Sequence, residues 1–383
     1  MSIVIIYFIC FIIQKWLINC DTNSNISFPY NIRDNSIYVK LFIGSSSQTA
    51  YIKLTLTGEY PLISKDHYSI SRSSTWFYYK TQFIMIDNFN IKCEVINDSF
   101  SFYEDQYMQN VTFYLADLDF RNGHLYLPFS YHFPDYNYSI LHVYKRTKVI
   151  DRLRFYIEGQ EKGGYVHLGK LPKEVEENNT KNKGKCEIEN RTWGCKFKGV
   201  RVGDKIYKEN RYALLSTEIE FIKAPEDIMK FLFYNLFEPY IKNDICTYNT
   251  YSFSPFTKSF SCKCNLLNDS FPNMTIMLGN YGFILGYKDL FKQVFNSCTL
   301  IIQNDENSKD SYIIGYSFIT KYVSKFDYDE SSVTFMSQSR NIIKYYTRND
   351  FILPTIRLLA IDMILLILST LYSIYVKIRF IIT

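Results

Sequence analysis

Between residues 21 and 350 the chain is built from short segments in which apolar and polar positions alternate. Residues 37–43, 50–57, 82–88 and 111–115 are β-branched and aromatic runs separated by polar turns, a pattern that predicts antiparallel strands. Helical periodicity is sparse. Its best instance is 225–240, where Ile228, Phe231, Leu232, Asn235 and Leu236 keep one face mostly apolar and Pro225 opens the first turn. The segment KEVEENNTKNKGKCEIEN at 173–190 is the most polar of the region and has no apolar period, which puts a boundary there between two lobes, 21–180 and 181–345.

Both ends are apolar, with different meanings. Residues 3–13 form an eleven-residue apolar run broken by Gln14 and Lys15, with a cleavage point after Cys20, so 1–20 reads as a secretory signal peptide. Residues 358–376 are nineteen positions interrupted only by Asp362. At ~1.5 Å per residue they reach ~28 Å, close to a hydrocarbon core of ~30 Å. A transmembrane helix is placed at 353–376, and Lys377 and Arg379 in the tail 377–383 suit a cytosolic end. The expected protein is single-pass, with its bulk in the secretory lumen or outside the cell.

Composition narrows the function classes. With 47% apolar and 21% charged residues the chain can bury a full core. It has only 15 Gly among 383 residues, too few for a chain rich in phosphate-cradling loops, so nucleotide binding is disfavoured. Its 43 basic and 38 acidic residues are scattered, which leaves no basic stripe for nucleic acid. Histidines 67, 124, 132, 142 and 167 show no metal-ligand spacing, and no cofactor motif is legible. Beyond the signal segment lie seven cysteines without a paired C-x-x-C array, which favours disulfides over zinc. Cys246 with Cys262 and Cys186 with Cys195 are candidate local bridges, and Cys93 is left over. Eight N-x-[ST] sequons fit a glycosylated, secreted surface.

The two halves echo one another. YVKLFIGSSSQTAYIKLTLTG gives strand, Ser-rich turn, strand and a loop Thr; WGCKFKGVRVGDKIYKENRYALLST repeats that plan with Gly203 and Asp204 at the turn. Other segments carry a more specific likeness: Ser73-Ser74-Thr75-Trp76, Asn122-Gly123-His124-Leu125-Tyr126-Leu127, Gly163-Gly164-Tyr165-Val166-His167-Leu168-Gly169, Lys223-Ala224-Pro225, and Tyr312-Ile313-Ile314-Gly315-Tyr316-Ser317-Phe318-Ile319 followed by Phe326-Asp327 and Val333-Thr334-Phe335. In this order they resemble the pepsin-like aspartic peptidases over nearly the whole region. That resemblance implies a mostly β, bilobal acid-protease fold with a central cleft. It also implies a disulfide between Cys264 and Cys298.

It further implies where catalysis belongs. Two carboxylates sharing a proton activate water and polarise the scissile carbonyl in this family. Here the degenerate dyad positions are Leu56, in Leu56-Thr57-Gly58, and Ser216, in Ser216-Thr217-Glu218, and neither Asp-Thr-Gly nor Asp-Ser-Gly occurs anywhere. Thr57 and Thr217 correspond to the family's paired threonines beneath the cleft, and Gly58 and Gly315 to its glycines. Glu218 stands at a glycine position, Tyr126 where the first lobe's second glycine belongs, and the flap tyrosine has no counterpart between residues 81 and 102. The expected function is a catalytically inactive, membrane-anchored homologue that holds a peptide or protein partner. The alternatives are an active endopeptidase in which atypical carboxylates such as Glu59 and Glu218 substitute, and an adhesive surface protein.

Overall fold

The computed structural model describes residues 26–371 except 87–88, 105–108, 118–125, 132–135, 161–162, 180, 190, 251–256, 295, 306–311, 340 and 346–362. The expected signal segment 1–20 and tail 377–383 lie outside the described residues, as does all of 353–376 except 363–371, which are helical. No described helix is long and apolar enough to cross a membrane. The chain through Ile343 forms one compact unit, and 344–383 a second.

The first half contains β1 (Ile26–Arg33), β2 (Ser36–Ile43), β3 (Gln48–Thr55), β4 (Leu62–Ser64), β5 (Phe77–Ile86), β6 (Phe89–Ser101), β7 (Gln109–Ala116), β8 (Tyr126–Pro128), β9 (Arg154–Gln160) and β10 (Gly163–Leu168). There follow β11 (Asn182–Glu187), β12 (Gly194–Val202), β13 (Lys205–Leu215), β14 (Ile222–Ala224), β15 (Cys246–Thr250), β16 (Thr257–Lys263), β17 (Met274–Leu278) and β18 (Tyr281–Leu285). Then come β19 (Phe291–Val294), β20 (Ser297–Leu300), β21 (Ile302–Asp305), β22 (Tyr312–Ile314), β23 (Val323–Asp327) and β24 (Ser332–Ser337). The strands predicted at 37–43, 50–57, 82–88 and 111–115 correspond to β2, β3, β5 and β7.

Alternation decides which way each strand faces. In β2, Ile37, Val39, Leu41 and Ile43 are fully buried while Lys40 is exposed, so every second side chain enters the core. Its hairpin with β3 turns at 44–47, where Gly44 takes φ +75°, a conformation that favours glycine. The equivalent hairpin β12–β13 turns at Gly203, φ +55°.

Among the described residues the sheets reveal an internal repeat. One, of 13 strands, runs β11-β24-β23-β9-β10-β1-β2-β3-β8-β4-β7-β6-β5; the other contains β19-β20-β16-β21-β14-β22-β13-β12-β17-β18. The path β2-β3-β8-β4-β7 in the first reappears as β12-β13-β22-β14-β21 in the second. In each, the third strand runs parallel to the second and the fourth parallel to the fifth.

The halves meet within the first sheet. Strand β9 pairs antiparallel with β23, Phe155 opposite Phe326, and their rings stack at 4.6 Å between centroids. Trp193 packs edge-on to Phe326 at 5.2 Å, and its indole N–H donates to the Phe129 carbonyl at 2.6 Å.

The polar segment 173–190, where the sequence shows no apolar period, carries regular structure. It forms the helix Lys173–Asn179 and strand β11, which joins the shared sheet against β24. The buried positions of β11, Gly184 and Cys186, are two apart; because glycine adds nothing to an apolar count, the period was hidden. The helix expected at 225–240 is present as Glu226–Leu232, a π turn Phe233–Phe237 and Glu238–Lys242, with Pro225 as N-cap and Ile228, Leu232 and Leu236 buried.

All three expected disulfides form: Cys186–Cys195, Cys246–Cys262 and Cys264–Cys298. Cys93 is a buried free thiol, and burial pushes its pKa up to about 11.

His142 lies in the helix Ile140–Arg146, capped by Ser139, with its ring edge-on to Tyr328 at 5.5 Å. Burial pulls its pKa down from 6.5 to about 4, against an opposing pull from Asp329. The unfolded chain therefore takes up this proton near pH 6.5 while the folded chain resists until about pH 4. Stability should fall as pH drops through that window. The melting temperature of His142→Gln, measured across the same range, should fall less than that of the wild type.

Candidate functional site

The site lies where β3 and β13, equivalent strands of the repeat, end. In β3 the inward apolar positions are Ala50, Ile52 and Leu54; in β13 they are Ala213 and Leu215. The next residue in each case carries a hydroxyl, Thr55 in the first lobe and Ser216 in the second.

Strand pairing fixes the equivalence. Lys53 lies opposite Tyr126 as Leu214 lies opposite Ile313, and Leu62 lies opposite Tyr126 as Lys223 lies opposite Ile313. Thr55 is therefore the counterpart of Ser216, Leu56 of Thr217, Thr57 of Glu218 and Gly58 of Ile219. Local hydrogen bonds agree, since Thr55 Oγ1 accepts the Thr57 N–H and Ser216 Oγ accepts the Glu218 N–H, both at 3.2 Å. The first-lobe floor position is thus Thr55, one residue before the Leu56 assigned from sequence. The Thr57-Gly58 pair drew the reading forward by its likeness to the family motif; the burial alternation of β3 is the signal that locates Thr55.

The floor ties the lobes together. Thr217, fully buried, donates from Oγ1 to the Leu54 carbonyl at 2.5 Å. Its counterpart Leu56 is equally buried but has no hydroxyl, so the lock is made from one side only. Glu218 adds a second tie: its Oε2 accepts from Thr55 Oγ1 at 2.8 Å and from Thr57 Oγ1 at 3.5 Å. Main-chain contacts reinforce both, with the Ile37 N–H on the Thr217 carbonyl at 3.0 Å and Ser36 Oγ on the Glu218 carbonyl at 3.3 Å. Nearby, the Tyr38 phenol is pushed upward by burial and then by Asp34 and Glu218, against Arg33.

The glycine positions differ between lobes. A Cβ on Gly315 would lie 2.3 Å from the Phe221 carbonyl oxygen and 2.4 Å from that of Ile219, so only glycine fits. By the same register its first-lobe counterpart is Pro128, and Tyr126 lies two residues earlier than the position read for it. Gly58 makes room: a Cβ there would lie 3.5 Å from Pro128 Cβ and 2.8 Å from Thr55 Cγ2. Bulk and space have changed places, Ile219 with Gly315 in one lobe and Gly58 with Pro128 in the other.

The two equivalent floor positions therefore present alcohols. Glu218 brings a carboxylate to Thr55, whereas Glu59 is exposed and acts on Tyr60. Glu220, 4% exposed, is held by Lys292. Among the described residues no cluster of three or more His, Cys, Asp or Glu could hold a metal ion.

Two repeated β lobes, sharing a sheet and meeting at a floor made from equivalent strand ends, are the architecture of the bilobal acid proteases. The family model of eukaryotic aspartyl proteases matches residues 135–338, more than half of the sequence, and the chain belongs to that family. The matched span contains Ser216, Thr217, Glu218 and Gly315, while Thr55 precedes it. No curated protein matches the chain.

Thr217→Val keeps the shape of the side chain and leaves the Leu54 carbonyl without its buried donor. Chemical denaturation should show a loss of about 1–3 kcal/mol.

Proposed function

We propose that this family member holds an extended peptide or protein segment between its lobes as a scaffold and does not cleave it. The observation that carries the reading is the pair of hydroxyls at Thr55 and Ser216, where the family's mechanism needs two carboxylates. An alcohol there cannot share a proton with its neighbour at any ordinary pH. Glu218, a carboxylate bonded into this floor, serves as a tie to Thr55 and Thr57.

The retained two-lobe floor supports a binding role, as does the exposed aromatic group formed by Trp76, Phe77, Tyr78, Tyr79 and Phe83 at the start of the hairpin β5–β6. The reading includes residues 1–20 as a secretory leader and 353–376 as a membrane anchor, with the folded region outside the cytosol. Three disulfides favour such an oxidising compartment.

Purified full chain, incubated with denatured protein at acid pH with and without a statine-type inhibitor, should show no inhibitor-sensitive turnover. The inhibitor should raise the melting temperature, since a ligand at 100 times its Kd adds about 2.7 kcal/mol. Inhibitor-sensitive cleavage overturns the non-catalytic reading. Failure of both cleavage and thermal protection overturns the peptide-holding one.

A further inference from the structure

On the face of the shared sheet turned away from the Phe155–Phe326 core lies a cavity of about 700 Å³. Six cationic side chains line it, Arg154, Lys170, Lys173, Lys183, Lys185 and Lys325, against two carboxylates, Glu176 and Glu330. They come from β9, the turn after β10, the helix Lys173–Asn179, β11 and β23, and so converge only when both halves of the chain have paired.

Register explains the convergence. Tyr156, Lys325, Thr334 and Lys185 lie directly opposite one another across four adjacent strands, and side chains on such a rung project from one face. Two residues along, Met336 lies opposite Lys183 and joins the same lining. The intervening residues Phe155, Phe326 and Phe335 point into the core. Tyr156, Leu171 and Met336 form a small apolar cluster beneath the charges.

The cations are only partly neutralised. Lys325, with 15% of its side chain exposed, contacts Asp327 at 3.0 Å and Glu330 at 3.5 Å, and Glu330 also holds Lys185 at 3.0 Å. Lys170 contacts Asp151 at 3.2 Å, and Arg154 donates from Nε to the Gly169 carbonyl. Lys173 and Lys183 have no acidic partner among the described residues. Counting Asp151 and Asp327, which pair from outside the lining, there are still six cations to four carboxylates. The volume falls in the range of about 300–1,000 Å³ typical of small-molecule sites.

We propose that this cavity binds a compact organic polyanion bearing two or more phosphate or sulfate groups, its anionic groups on the lysines and its carbon frame on Tyr156, Leu171 and Met336. Lysine ammonium groups suit phosphate or sulfate as point charges that need no fixed bidentate geometry. The proposal is independent of the cleft, since no floor residue contributes.

Isothermal titration of the full chain with inositol hexakisphosphate should show saturable 1:1 binding that weakens as salt is raised, and inorganic phosphate should bind far more weakly. The variant Lys173→Glu/Lys183→Glu removes the two unpaired cations and should lose at least about tenfold in affinity with an unchanged melting temperature. Absence of saturable binding, or undiminished affinity in a folded double variant, overturns the proposal. Vesicles containing phosphatidylinositol bisphosphate distinguish the source: co-sedimentation displaced by inositol hexakisphosphate assigns the groups to a lipid headgroup, and retention in the supernatant, with titration positive, assigns them to a soluble ligand.

Discussion

Between β9 and β23 the backbone pairing runs from Asp327 opposite Arg154 to Val323 opposite Glu158, and along this line strands more than 150 residues apart in sequence become neighbours in one sheet. The Phe155–Phe326 stack and the Trp193 indole seal its inner face. Such long-range pairing carries a large loop-closure cost before it returns any contact. The floor beside it, where Thr217 reaches Leu54, depends on the same closure. Neither half alone can complete the shared sheet or the floor.

The floor also shows how an internal repeat diverges without losing its frame. Glycine at 315 is required by three crowding carbonyls, whereas in the first lobe glycine stands at 58, beside the side chains of Thr55 and Pro128. Neutral hydroxyls at these two strand ends cost the scaffold little. Thr55 is 1% exposed and Ser216 7% exposed. A buried carboxylate pair there would carry a desolvation cost that neutral alcohols, each with hydrogen-bond partners, avoid. Leu56, at the position equivalent to Thr217, contributes core packing instead of a hydrogen bond.

Much of this architecture could be read from the chain. Alternating runs gave β2, β3, β5 and β7 because each buries one face; two local bridges were legible as near neighbours in the chain, with Cys246 opposite Cys262 on paired strands, while the Cys264–Cys298 bridge was implied by the family resemblance. What escaped reading has a common physical cause. Thr55 lost to Leu56 because a motif match weighs residue identity, whereas the fold weighs which side of the strand a residue faces. β11 was missed because its inward positions are Gly184 and Cys186, too small to register as an apolar stripe. The cationic cavity was invisible for a stronger reason: Arg154, Lys185 and Lys325 look like ordinary solvated charges until sheet register aligns them.

Cys93 has a consequence for how the chain matures. Exchange between thiols and disulfides proceeds through the thiolate, and a pKa near 11 leaves a fraction on the order of one in ten thousand ionised at neutral pH. At 1% exposure that sulfur is also closed to attack from outside. A free thiol in a disulfide-bonded chain would ordinarily invite reshuffling of neighbouring bridges. Once β6 is seated, this thiol is effectively retired from redox chemistry, and the three crosslinks of the second half are left undisturbed.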